Sequence, residues 1–230
     1  YHNLVDITNG DMNTSIGTAN NTFLSTGSYN VALGSNNLRL PTASNYCIGI
    51  GTQNFYLAGN GSDNIGIGRW NCYNVSGDEN VGIGNECLKG TSSDGSLYYC
   101  VGIGSCAGKE SVGNYNHFIG KNAGYFTSGS YNIGMGDDSL RYLRTGSYNI
   151  GIGHEACRGL SIGSSGRTFA FNIGLGRNAL TSLSTGTFNL GLGDHAGYSI
   201  TNGYHNVCLG YINGYVTSSG YNNVFLGTQS

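Results

Sequence analysis

The chain has almost no proline, little charge and no long apolar run, and each shortage closes off a class of protein. Proline occurs once, at Pro41, in 230 residues. That excludes a collagen helix despite 41 glycines, because collagen needs glycine at every third position and abundant proline. So much glycine also argues against helices, since each interior glycine costs a helix about 1 kcal/mol relative to alanine. Charged residues are only 10% of the chain and the net charge is −2. No basic stripe is offered to nucleic acid, and no nucleic-acid partner is expected. No stretch approaches the roughly 18 consecutive apolar residues of a membrane-spanning helix, so no membrane insertion is expected. Disorder is disfavoured too, because apolar residues recur in register instead of being diluted.

What is present is one phrase, repeated. Asn, aliphatic, small, aliphatic, Gly, as in Asn149-Ile150-Gly151-Ile152-Gly153, returns thirteen times, and most intervals between closing glycines are 16 or 17 residues. A fixed period this short predicts one solenoid coil per repeat, stacked on near-identical neighbours. The repeat runs from end to end, so residues 1–230 read as a single β-solenoid repeat domain of about thirteen coils. The chain opens at Tyr1 and stops at Ser230, three residues after the last phrase closes, as expected of a segment of a longer fibre. At about 4.8 Å per coil, the stack would be a rod on the order of 60 Å long.

Counting slots from the closing glycine as zero, slot −1 is Ile, Leu or Met in every coil, and slot −3 is aliphatic apart from Thr14 and His117. Slot −2 is usually glycine, with Phe118 and Phe225 as large exceptions. The period of two makes the phrase a short β-strand. Its aliphatic face is expected to fill the coil interior. Its glycine face is a smooth wall against which something packs, either the opposite side of the same coil or an identical chain. Slot −4 is Asn13, Asn30, Asn64, Asn80, Asn116, Asn132, Asn149, Asn172, Asn189, Asn206 and Asn223, with Cys47 and Cys100 in the other two coils. Stacked asparagines at the interstrand spacing are expected to form an amide ladder. Glycine at slot −7, as in Gly129, Gly146 and Gly203, is read as a turn with positive φ entering the strand, and the slot-zero glycine as the turn leaving it. A second short inward-facing segment follows, as in Asn178-Ala179-Leu180.

The phrases from Asn149 to Ala156, Asn172 to Ala179 and Asn189 to Ala196 resemble the head repeats of YadA-like trimeric autotransporter adhesins. His117-Phe118-Ile119-Gly120-Lys121-Asn122-Ala123-Gly124 is similar to repeats of phage tail fibres. The resemblance covers essentially the whole chain. It implies a left-handed parallel β-roll in a homotrimeric fibre that contacts a host surface, and it would make the smooth glycine column a contact between chains. The period is longer than the adhesin repeat, and seven cysteines depart from the adhesin pattern. A viral or phage fibre fits these departures better.

Candidate contacts come from slot −5 and from breaks in the period. Tyr99, Tyr115, Tyr131, Tyr148, Phe171 and Phe188 occupy slot −5 in six consecutive coils. They read as an aromatic strip that stacks on sugar rings or a receptor loop, or as a purely structural ladder. Insertions at 88–98 and 158–170 break the period and are expected on loops of one face. The second brings Arg158 and Arg167 near Arg141, Arg144 and Arg177, a basic group suited to an acidic sugar or, equally, to a solvated face. Carboxylates and histidines at slots +1 and +2, such as Asp137-Asp138 and Asp194-His195, would suit a glycosidase. Coils this short offer no water-excluding cleft, so no enzyme is expected. Neither a C-x-x-C pair nor a calcium nonapeptide is present, so neither metal nor cofactor is expected. The seven cysteines suit buried free thiols, with a bridge such as Cys87 to Cys106 as the alternative.

The expected function is a structural and receptor-binding fibre segment on a virion or other extracellular surface, presenting contacts to a host glycan or protein receptor. The alternatives are a structural shaft without its own ligand and, third, a polysaccharide depolymerase.

Overall fold

The computed structural model describes residues 10–21, 26–39, 43–56, 61–90, 96–160, 168–214 and 218–229. The protein is an all-β parallel solenoid, and no helix occurs among the described residues. Two compact units divide the chain, residues 1–114 and 115–230. The first holds β1 (Thr14–Thr18), β2 (Val31–Ser35), β3 (Ile48–Thr52), β4 (Ile65–Arg69), β5 (Val81–Asn85) and β6 (Val101–Ser105). The second holds β7 (His117–Ile119), β8 (Ile133–Met135), β9 (Ile150–Ile152), β10 (Ile173–Leu175), β11 (Leu190–Leu192), β12 (Val207–Leu209) and β13 (Val224–Leu226).

Within each unit every strand pairs in parallel with the next, and slot falls on slot. Ile48, Gly49 and Ile50 lie beside Ile65, Gly66 and Ile67. Ile133, Gly134 and Met135 lie beside Ile150, Gly151 and Ile152. The two period-breaking insertions leave the register untouched, because Val81 still pairs with Val101 and Ile150 with Ile173. Extra residues are absorbed outside the strands, as solenoids allow.

The two faces of the strand are reversed from the sequence expectation. Slot −2 is the buried position, and the aliphatic residues flanking it are half-buried or exposed. Ile119, Met135, Ile152, Ile173 and Leu175 all count among the exposed large hydrophobics. The glycine column therefore faces the inside of its own coil and is no contact for another chain. Its purpose is visible in what a side chain there would meet. A Cβ on Gly49 would lie 3.3 Å from Leu38 Cγ, one on Gly66 2.8 Å from Phe55 Cε2, and one on Gly191 2.9 Å from Leu180 Cγ. Those partners belong to the second inward segment, at slot +4 of the preceding coil. A coil of 16 or 17 residues has room for one thick layer of side chains. The core takes its bulk from slot +4 and from Leu143, Leu183 and Ile200, so the strand opposite must be bare.

The large exceptions obey the same rule with the sizes exchanged. Phe118 at slot −2 is fully buried, and slot +4 of its coil is Gly124, where a Cβ would sit 2.3 Å from the Phe118 ring. Likewise Phe225 faces Gly214, whose Cβ would lie 3.2 Å from Phe225 Cδ2.

The glycines at the corners have a different origin. Slot-zero glycines adopt positive φ, for example +127° at Gly153 and +133° at Gly176, and a Cβ on Gly153 would lie 2.5 Å from the Gly176 carbonyl oxygen. Most slot −7 glycines do not. Gly129, Gly146 and Gly203 lie outside the left-handed region, yet a Cβ on Gly129 would sit 1.8 Å from the Gly146 carbonyl oxygen. There glycine is required by the approach of the next coil, not by φ.

Replacing Gly191 with Phe is expected to destabilise by about 1–3 kcal/mol through overpacking against Leu180. Leu180→Gly alone should cost about 2–5 kcal/mol by leaving a cavity. The double variant reproduces the Phe225/Gly214 arrangement and should be more stable than the sum of the two losses. Denaturant titration of all four proteins measures the coupling.

Candidate receptor-contact surface

Three columns of side chains run along the coils beside the strands. The first is the slot −4 asparagine ladder. Asn149 donates its backbone N–H and its side-chain amide to Asn132 Oδ1, at 3.0 and 3.1 Å, and Asn172 does the same to Asn149 Oδ1 at 3.1 and 3.1 Å. Each amide also donates forward to a backbone carbonyl of the next coil, such as Asn149 Nδ2 to the Phe169 oxygen at 2.9 Å. Apart from Asn13 and Asn223 at its two ends, the side chains of this column are buried, so their satisfaction is obligatory. The column runs unbroken through the second unit from Asn116 to Asn223. In the first unit, Asn13 to Asn30 and Asn64 to Asn80 are linked in the same way. Cys47 and Cys100 stand at the interruptions. Their backbone N–H groups still donate to Asn30 and Asn80, and their thiols reach the Gly61 and Gly113 carbonyls at 3.4 and 3.3 Å. The thiol thus reproduces the forward donation of the amide, and at Cys47 the sulfur also receives hydrogen bonds from the backbone and side chain of Asn64 in the next ladder position.

A second ladder went unrecognised in the sequence. Asn20, Asn37, Asn54 and Asn71 at slot +3 are fully buried and link side chain to side chain at 3.3, 2.9 and 3.0 Å. Asn71 Oδ1 then accepts the Cys87 backbone N–H at 3.0 Å. In the second unit the same slot is mostly alanine, as at Ala156, Ala179 and Ala196. The signal was the recurring Asn three residues after the glycine, obscured because five of the thirteen coils carry alanine there.

The third column is the aromatic strip. Tyr115, Tyr131, Tyr148, Phe171 and Phe188 stack ring on ring, with centroids 4.8–5.0 Å apart and planes within 6° of parallel. Phe188 continues to His205 at 5.1 Å in a tilted contact. Tyr29 and Tyr46 repeat the arrangement in the first unit, where Tyr99 is also exposed. These residues hold φ near +60°, unusual for large side chains. The strain is offset by inter-coil hydrogen bonds from the same residues, such as Tyr148 N–H to the Ser130 oxygen at 3.2 Å, and by the stacking itself. Ring neighbours lie on both sides of Tyr131, Tyr148 and Phe171. A sugar therefore cannot stack face-on against these three in place. What the strip offers outward is a row of ring edges and phenol hydroxyls, about half exposed.

The basic residues grouped by the sequence do not gather around this strip. Arg158 lies in the turn after β9 and bonds Glu155 at 3.0 Å; Arg141 bonds Asp138 at 2.9 Å; Arg177 grips Asp194 through two contacts at 3.2 and 2.7 Å. Arg144 lies over the Phe126 ring. Arg167 and most of the second insertion fall outside the described residues, as do residues 91–95 of the first. Of the slot +1 and +2 carboxylates, Asp138, Glu155 and Asp194 are engaged by these same cations, while Asp137 accepts the Lys121 backbone N–H at 3.0 Å. Asp194 is held below the usual carboxylate range, chiefly by its hydrogen bond from Arg177.

All seven cysteines are free thiols, and all but Cys106 are buried. Burial pushes Cys157 up to about 12, and Cys47, Cys87 and Cys208 up to about 11, from 9.0. No family model, no curated protein and no solved structure matches this chain.

Asn149→Ala is expected to lower stability by about 1–3 kcal/mol, because two N–H groups of Asn172 lose their acceptor. Asn149→Cys should fall between alanine and wild type in melting temperature. The thiols set a pH limit as well. They stay neutral in the fold while the unfolded chain ionises them, so their contribution should be constant at neutral pH and be lost as pH rises through 9.0 towards about 11–12. Urea midpoints across this range should fall less steeply for Cys157→Ala/Cys208→Ala.

Proposed function

We propose that the chain is a non-enzymatic fibre segment that assembles side by side with identical copies, as a homotrimer, and presents contacts to a host surface glycan or protein. The observation that carries this reading is the aliphatic column turned outward on a parallel solenoid. In the second unit Ile119, Met135, Ile152 and Leu175 repeat coil after coil on a face that a lone coil stack leaves to water. Contiguous exposed apolar surface of this kind marks an interaction site. A partner must match a ridge that repeats at strand spacing, and a second copy of the same solenoid carries that repeat by construction. The similarity of the repeat to trimeric fibre heads supplies the number three.

The aromatic strip supports the receptor half of the reading. Hydroxyls and ring edges in a rigid row provide large contact area at little cost in conformational entropy. The mutual stacking of the rings equally favours a structural shaft without a ligand, which is the second reading. Catalysis is left out because Asp138, Glu155 and Asp194 are occupied by arginines, and the lowered Asp194 is unsuited to a general acid. A fibre of this kind belongs on a virion or other extracellular surface.

Light scattering after size exclusion should give three times the chain mass, and Ile152→Asp with Leu175→Asp should give single chains. A mass of one chain for the wild type would remove the assembly. Tyr131→Ala with Tyr148→Ala should lose attachment to host surfaces while the protein stays folded. Retained attachment with a lowered melting temperature would leave the strip as a structural ladder.

A further inference from the structure

Every lysine and arginine of residues 1–114 belongs to one strip, formed by the end of β4 and the turns that follow the strands of the first unit: Arg39, Arg69, Lys89 and Lys109. The strip also holds Trp70, the sole tryptophan of the chain. Tyr56 and Tyr73, at slot +5 of consecutive coils, stack at 5.5 Å. Arg39 caps this pair from one end, with its guanidinium 4.8 Å from the Tyr56 ring and a hydrogen bond to the Tyr56 hydroxyl. Lys89 caps the other end, 5.3 Å from the Tyr73 ring. The Lys89 ammonium also lies 4.6 Å from the Trp70 ring, whose other cation is Arg69 at 3.9 Å. Trp70 is fixed by an Nε1–H bond to the Gln53 side chain. Glu86 ties the lower part together, accepting from Lys89 at 3.1 Å and from Lys109 at 2.5 Å.

The arrangement differs from the arginines of the second unit. There, Arg141, Arg158 and Arg177 are each spent on a carboxylate of their own turn or the next. In the first unit Arg39, Arg69 and Lys89 lie over aromatic rings, which hold a cation in place, and the one carboxylate of the strip, Glu86, is shared between two ammonium groups, Lys89 and Lys109. Arg69, at the end of β4, is exposed. From Arg39 to Lys89 the strip spans three coil steps, roughly 15 Å at strand spacing. Cations fixed in advance at such intervals suit a linear ligand carrying repeated negative charge, since little side-chain freedom is lost on binding.

We propose that this strip is a binding site for an acidic oligosaccharide, one bearing carboxylates or sulfates, lying along the coil axis with its anionic groups on Arg39, Arg69 and Lys89. Nucleic acid is the less suited polyanion. Single strands bind through open ring faces that stack on bases, and here the rings face cations or one another. The proposal rests on the receptor-contact reading of the chain and gives it a ligand class and a second location, separate from the slot −5 strip.

The test is calorimetric titration of the full chain with a uronate hexamer, a sulfated hexamer, a neutral hexamer and a single-stranded oligonucleotide. Binding of either acidic hexamer is expected, weakening as salt rises, with none for the neutral one; which acidic hexamer binds more tightly identifies carboxylate or sulfate as the ligand group. Arg69→Gln/Lys89→Gln should weaken binding at least tenfold with little change in melting temperature, and Arg158→Gln should not weaken it. Should the double variant unfold, Arg39→Gln reads the other end of the strip and should also weaken binding. Equal affinity of wild type and variants, equal binding of the neutral hexamer, or tighter binding of the oligonucleotide would overturn the site. Its failure separates from that of the receptor reading. Host attachment that survives Arg69→Gln/Lys89→Gln removes this site alone, whereas acidic-sugar binding without host attachment upholds the site and removes the receptor role.

Discussion

Everything in this protein depends on each coil lying in register on the one before it. The backbone strand pairs enforce that register, and the buried asparagines make it specific. An amide whose oxygen takes two N–H groups from one neighbouring coil, and whose nitrogen gives to a carbonyl of that same coil, is satisfied only at zero slip. A shift of one residue would leave the buried ladder amides without partners in coil after coil at once. The penalty accumulates along the stack, which explains how insertions in the turns are tolerated while the strands keep their pairing.

Register then dictates where bulk can go. With identical slots superposed, each side chain sees its own kind above and below and a different slot across the coil. The thin interior takes one large residue per opposed pair, so Leu180 demands Gly191 and Phe118 demands Gly124. The aliphatic residues at slots −1 and −3 are left facing outward, where a monomeric solenoid does not bury them. Stability of the coil and stickiness of its surface thus come from different columns of the same strand.

The same superposition creates the exposed features. Aromatic residues at a fixed slot must stack, so the slot −5 strip is as much a consequence of the repeat as a device. What breaks uniformity carries more information. The second unit matches one arginine to one carboxylate, while the first unit holds cations over Trp70, Tyr56 and Tyr73 and shares Glu86 between two lysines. Two halves built from one repeat therefore present different chemistry.

The sequence by itself determined the solenoid, its strand positions, the slot −4 ladder and the stacking of Tyr131, Tyr148 and Phe171. Periodicity fixes which residues become neighbours along a stack, and that is readable from spacing alone. Only the tertiary structure decided which strand face turns inward, why Gly129 is glycine, and that Arg158 pairs with Glu155 apart from the aromatic strip. Those depend on distances across and around the coil, which period does not encode. An alternating strand reads the same with either face inside, and the volume left by Leu38 and Leu180 from the opposite wall settled that the glycines lie within.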